Sequence, residues 1–150
     1  MSMTISRPVT DVLNKQVANW SVLYVKLHHF HWYVKGPHFF TLHAKFEELY
    51  NEAATYVDDL AERLLAVGGQ PVSTMKACIE QASIKEAASG ETAEQMVQAV
   101  VNDFTTLIGE LKEGIVAAEA ADDEATGDMF LGMSESLQKH VWMLQAYLGK

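Results

Sequence analysis

Five side chains in the first half of the chain have the types and spacing to hold a transition metal: His31, then His43, Glu47, Asp58 and Glu62. Imidazole and carboxylate together suit iron better than they suit a core. In an α-helix each residue advances about 100°, so the last four fall within about 100° of arc. His43 and Glu47 form an i, i+4 pair, and so do Asp58 and Glu62, so each pair can converge on one ion. Glu47 and Asp58 stand eleven residues apart, which is about 16 Å along a helix axis. Nitrogen and oxygen ligands sit about 2.0–2.2 Å from a metal, so one ion cannot take both pairs from the same helix. Either the pairs are separate half-sites, or something else completes each. An isologous two-fold contact between antiparallel copies would set Glu47 of one beside Asp58 of the other. Spacing permits that arrangement without requiring it. A lone histidine on a helix is more often a packing or surface residue, and helical carboxylates are usually solvated; the shared register of the five is what favours a metal. None of the six histidines has Asp or Glu three residues before it, so the Glu-x-x-His step that builds di-iron sites within one bundle is absent.

The elements that must position these residues are helices. Leu13, Val17, Trp20, Leu23 and Leu27, with Tyr24 and His31, recur at three- and four-residue steps, and Thr10 or Asp11 can cap that first helix. Residues 1–9 read as a short tail, with Pro8 too early to interrupt anything. Gly36-Pro37 ends the first helix, because Gly serves at a C-cap and Pro cannot continue the helical hydrogen bonds. A second helix begins near Phe39 to Thr41 and runs to Val67, stopped by Gly68-Gly69 and Pro71. The stretch 71–90 is irregular; Ser73 and Ser83 are candidate caps of short helices, Ser83 with Glu86 as a capping box. Thr92 and Gln95 form another box, opening a third long helix through Met96, Val100, Phe104, Leu107, Leu111 and Ile115. After a break at 120–123, the last helix carries Met133, Leu137, Val141, Leu144 and Leu148 on one face. No stretch reads as a strand. Four long amphipathic helices make a bundle, and the long second connection allows a crossover.

The 150 residues make one domain with room for a sizeable core. An apolar fraction of 49% and a mean hydropathy of −0.02 fit a soluble globular chain. The formal net charge of −9 argues against nucleic acid, whose binding is driven by basic contacts to phosphate, and favours attraction of cations. The single Cys78 cannot form an intrachain disulfide. The opening residues show no basic segment followed by an apolar run, and no apolar stretch approaches the ~20 residues of a membrane span. The reading is a cytoplasmic protein.

The segments LHHFHWYVKGPHFFTLHAKFEELY and VDDLAERLLAVGGQP resemble the Dps family, the ferritin-like mini-ferritins of bacteria. The family pattern is met by His31, Trp32, Tyr33, Gly36, Phe39, Leu42, His43, Phe46, Glu47, Leu49 and Tyr50, and then by Asp58, Glu62 and Arg63. The similarity extends to KHVWMLQAYLGK at the end, and it is closest to the members that do not bind DNA. It implies an all-α, ferritin-like four-helix bundle, with a short extra helix in the crossover between helices 2 and 3, packing near a two-fold axis. It implies a homo-oligomer, a hollow dodecamer built from two-fold dimers. Each interfacial centre would hold one or two iron ions, with His31, His43 and Glu47 from one subunit and Asp58 and Glu62 from its mate. The implied activity is oxidation of Fe(II) by hydrogen peroxide or oxygen, with storage of ferric mineral and protection of DNA. Glu47 departs from relatives that carry Asp there, and its extra methylene still reaches.

By the same resemblance Glu119, Glu124 and Asp128 line a three-fold pore for ferrous iron; acids there also favour the positive end of the last helix. Direct DNA binding is not expected, since Arg7 is the only basic residue among the first ten, nor is a membrane partner. Structural roles are expected for His28, His29, His38 and His140, although His28, one turn before His31, could orient a ligand or water. Trp32 could relay an oxidising equivalent or serve packing. Two other classes of function remain open: a metal-binding protein that oxidises nothing, and a structural helix bundle carrying these residues idly.

Overall fold

The computed structural model describes residues 7–150 and contains five helices: α1 (Arg7–Tyr33), α2 (Phe39–Ala66), α3 (Met75–Gln81), α4 (Ala93–Ala120) and α5 (Glu124–Tyr147). Short connections pair α1 with α2 and α4 with α5 as hairpins, and α1 also packs against α3 and α4. Residues 67–92 cross between the hairpins and carry α3. There is no strand among the described residues. This is the expected four-helix bundle with its extra short helix.

The apolar steps along each long helix converge on one core. Leu13, Val17, Trp20, Leu23, Leu27 and Phe30 of α1 meet Leu42, Phe46, Leu49, Leu60 and Leu64 of α2, with Phe104 and Leu107 of α4 and Phe130 and Leu137 of α5. Trp20 joins three helices, its ring 4.8 Å from that of Tyr56 and 5.8 Å from that of Phe104. Gly114 lets α4 approach closely: a Cβ there would stand 2.7 Å from Val12 and 2.8 Å from Phe130. No helix is long and apolar enough to cross a membrane among the described residues.

Three local expectations need correction. Among the described residues the first helix already includes Arg7, rather than beginning after Thr10, and takes in Pro8 and the buried Val9. The remainder of the expected tail, residues 1–6, lies outside the described residues. Second, Thr74 rather than Ser73 caps α3, accepting from the Ala77 N–H. Third, Ser83 and Glu86 open no helix. The Ser83 N–H instead donates to Asn19 Oδ1 at 2.7 Å, as the Val72 N–H donates to Asn14 Oδ1 at 2.8 Å. Side chains of α1 thus take backbone donors that a helix would have used. The buried Lys26 adds a third tie, donating to the Lys85 carbonyl at 2.9 Å while ion-paired with Asp103 at 2.7 Å.

The other caps follow the sequence. Thr92 and Gln95 form the full capping box of α4. Asp122 takes a positive φ of 55° at the α4–α5 break, and Asp123 caps α5 through the Thr126 N–H and hydroxyl. Arg63 ties α2 to this corner, donating to Asp123 and Thr126 at 2.9 Å each. Burial raises the Asp123 pKa, but the Thr126 bonds and the Arg63 charge outweigh it, leaving the carboxyl below its ordinary value.

Asn19 also donates to Glu110 at 2.9 Å, so Asn19→Ala strands a crossover N–H and removes one donor to a carboxylate. It should lower unfolding free energy by about 1–3 kcal/mol, read as a shift of the urea midpoint at unchanged slope. Because the Asp123 carboxyl is held low, its contribution is complete above the unfolded pKa and fades as pH falls through the folded one. In Asp123→Asn the acid limb of the stability curve, below about pH 4, should be shallower than in the native chain. A comparison of thermal midpoints across that range measures it.

Candidate metal centre

The α1–α2 hairpin turns tightly, with Gly36 at φ 118° and its carbonyl accepting from the Phe39 N–H at 3.1 Å. That turn sets the last turn of α1 beside the start of α2, and with it His31 beside His43. Each ring locks the other. His31 Nδ1 donates to the His43 carbonyl at 2.7 Å, and His43 Nδ1 donates to the His31 carbonyl at 2.7 Å. A carbonyl only accepts, so each Nδ1 carries the hydrogen and each neutral ring keeps its lone pair on Nε2. A bond from the other ring nitrogen is what orients a metal-binding histidine, and here backbone carbonyls supply it reciprocally. The imidazoles stack with centroids 3.6 Å apart at 13°, and Phe39 stacks on His43 at 4.9 Å and 23°. His31 is only 7% exposed and His43 is half-buried. The pair is a two-nitrogen platform held by backbone.

Glu47 follows His43 by one turn and is exposed. Its Oε1 accepts the Tyr50 hydroxyl at 3.2 Å, leaving Oε2 without a protein partner. Partial burial, then the Glu47 bond and charge, hold the Tyr50 phenol above its ordinary pKa. Asp58 and Glu62 lie further along α2, exposed, and form neither hydrogen bond nor ion pair among the described residues. Among the described residues no group of three His, Cys, Asp or Glu side chains could hold a metal ion. Within one chain, then, His31 and His43 meet, Glu47 is turned to Tyr50, and the acid pair stands apart.

Around the pair lies an aromatic shell. Tyr50 presents itself edge-on to His31 at 5.2 Å and stacks on His28 at 3.7 Å and 17°. His28 Nδ1 donates to the Tyr24 carbonyl at 2.7 Å, which fixes its ring. Trp32, 5.3 Å from His28, is 66% exposed and is not part of the core. The contacts made by Phe39 and Tyr50 were visible as i, i+4 and i, i+3 spacings to His43 and Glu47, but spacing alone does not separate them from packing. His29 packs on Phe30 and Tyr33, and His38 meets Tyr147 edge-on. The buried His140 bonds Glu52 at 2.7 Å and lies 3.3 Å from Lys45 Nζ, tying α5 to α2. Glu119, Glu124 and Asp128 do share one surface hollow, together with Asp123, Ile115 and Leu131. Asp123 is accounted for there by its capping role.

Known proteins are similar to this chain in both sequence and fold. Residues 10–150 match the ferritin-like domain family. The chain is 62% identical to general stress protein 20U of Bacillus subtilis, over 97% of this chain and all of that protein. It is 58% identical to DNA protection during starvation protein 2 of Bacillus anthracis, over 97% of this chain and all of that one. Among solved structures, a Dps protein from Bacillus brevis superposes with a TM-score of 0.95 at 59% identity, covering 99% of each chain. With a bundle of this connectivity, a histidine pair at the first hairpin and relatives this near along its whole length, the chain belongs to the Dps family of ferritin-like proteins.

Proposed function

We propose that this chain stores and detoxifies iron: twelve copies form a hollow shell, oxidise Fe(II) at centres shared across two-fold axes, and keep the ferric product inside. The reciprocal His31–His43 clasp carries the reading. It holds two Nε2 lone pairs in place on one chain while the nearer of the acids able to complete a coordination sphere, Asp58, stands about 22 Å along α2 from His43. His31, His43 and the unpartnered oxygen of Glu47 would bind the ferrous substrate from one protomer. Asp58 and Glu62 of a neighbour would close the site. Carboxylates are hard anionic donors, so they favour the ferric ion as it forms and give the reaction its direction.

Hydrogen peroxide is the favoured oxidant in this reading. Two ferrous ions deliver its two electrons together, which yields water or hydroxide rather than a hydroxyl radical. DNA would be protected by removal of both reagents rather than by contact, consistent with the net charge of −9. The names of the relatives, general stress and DNA protection during starvation, agree with such a role in the bacterial cytoplasm. The acidic hollow of Glu119, Glu124 and Asp128 is the proposed entry for ferrous ions, its negative charge drawing cations in.

A mixing experiment tests the shared centre. His31→Ala/His43→Ala and Asp58→Ala/Glu62→Ala should each abolish the fast rise of ferric absorbance after Fe(II) and peroxide are combined. Co-assembled, the two variants should regain activity, because random pairing leaves about a quarter of two-fold centres with all native ligands. Recovery absent from well-formed mixed particles would refute a centre built across chains. Separately, Glu119→Gln/Glu124→Gln/Asp128→Asn should slow iron uptake into the particle several-fold at low ionic strength, with the gap narrowing as salt screens the field.

A further inference from the structure

Away from the histidine pair, another imidazole is set for coordination and already faces a cation. His140 of α5 is 7% exposed and lies against two side chains of α2. Its Nε2 is 2.7 Å from Glu52 Oε2, and its Nδ1 is 3.3 Å from Lys45 Nζ. We propose that Lys45 is a resident cation: its ammonium fills a divalent-metal position between α2 and α5, made by His140 Nδ1 and Glu48 with Glu52 behind the imidazole, and keeps free metal off those donors.

Proton placement fixes the state of the ring. An ammonium has three N–H donors and no lone pair, so His140 Nδ1 must accept from Lys45 and carries no hydrogen. An ionised carboxylate only accepts, so Nε2 carries the hydrogen and donates it to Glu52. The imidazole is therefore neutral, with its one lone pair aimed at a positive charge. Glu52, His140 and the ammonium follow the order of the carboxylate–histidine–metal triads that orient ligand imidazoles, with Nζ where a metal would stand. Glu48 Oε2 is 2.8 Å from the same Nζ, which gives that position an oxygen donor beside the nitrogen one. Imidazole and carboxylate are donors that zinc, cobalt and ferrous ions accept. Two side chains touch the position directly, and water would complete the sphere.

Lys45 suits the role because its charge is compact and tethered. A lysine ammonium is a point charge on a flexible stem, and here the side chain is only 17% exposed. It neutralises Glu48 and occupies the Nδ1 lone pair at once. A divalent ion approaching from solution would meet like charge and have to displace it. The plainer account is an ion-pair network that merely joins α5 to α2, and it predicts no metal uptake with or without Lys45. The inference rests on metal binding alone, not on the oxidation of iron.

Equilibrium dialysis of the assembled protein against Co(II) separates the two accounts, in a His31→Ala/His43→Ala background that removes the nitrogens of the interfacial centre. Lys45→Ala, and Lys45→Met as the variant that keeps most of the stem, should each take up about one more Co(II) per chain than the background. Lys45→Arg, which retains the charge, should gain none. Adding His140→Gln to Lys45→Ala should abolish the gain. Adding Glu48→Gln, at an exposed position where folding is not at stake, should weaken it several-fold. The proposal is overturned if neither Lys45→Ala nor Lys45→Met gains Co(II), or if Lys45→Arg gains as much. A gain that survives His140→Gln undiminished, or His140-dependent binding with Lys45 in place, overturns it equally. Nothing is oxidised in this measurement, so it can fail while the ferroxidase reading stands and succeed if that reading falls.

Discussion

An unbroken α2 is the constraint on which the rest of this protein depends. Its 28 residues carry no proline or glycine, so His43 and Glu47 at one end and Asp58 and Glu62 further along keep a fixed separation that no rotamer can close. The first end is completed within the chain by His31, because the α1–α2 turn allows each imidazole to bond the other's carbonyl. The second end has nothing of the kind. The helix therefore presents one finished nitrogen platform and one unpartnered acid pair, and that asymmetry determines what the protomer can and cannot do by itself.

The bundle maintains this geometry through a division of labour along its helices. Apolar steps bury the core, but polar side chains decide how the pieces are joined. On α1, Asn14, Asn19 and Lys26 take up the backbone of the crossover; Gln16 and Asn19 both donate to Glu110 of α4. On α2, Arg63 reaches the α4–α5 corner and Glu52 reaches His140. Such groups are expensive to bury and inexpensive once paired, so they specify one path for the long connection and one placement of α5 where hydrophobic contact alone would tolerate several.

Much of this was legible from the residues. Periodicity located all four long helices, Thr92 and Gln95 marked a start that the structure realises as a full capping box, and the spacing of His43, Glu47, Asp58 and Glu62 already ruled out one ion taking both pairs from the same helix. What could not be read was decided by partners remote in sequence. Ser83 and Glu86 have the pattern of a capping box, yet Asn19, more than sixty residues away, claims the Ser83 N–H and draws the chain into an irregular path. Pro8 reads as tail in the sequence, yet it lies within the first helix. Likewise no spacing rule announces that two imidazoles will bond each other's backbone, since that depends on the angle of the hairpin. Trp32, for all its closeness to His31, faces outward.

The separation of the two donor sets along α2 also bears on biogenesis. A newly made, solitary protomer has a platform of two nitrogens and no cage, so it is poorly equipped to engage reactive iron before its neighbours arrive. Redox chemistry would then begin only once an enclosure exists to receive the product. On the proposed function, quaternary assembly would act in this way as a safety interlock, enforced by the length of a single rigid rod.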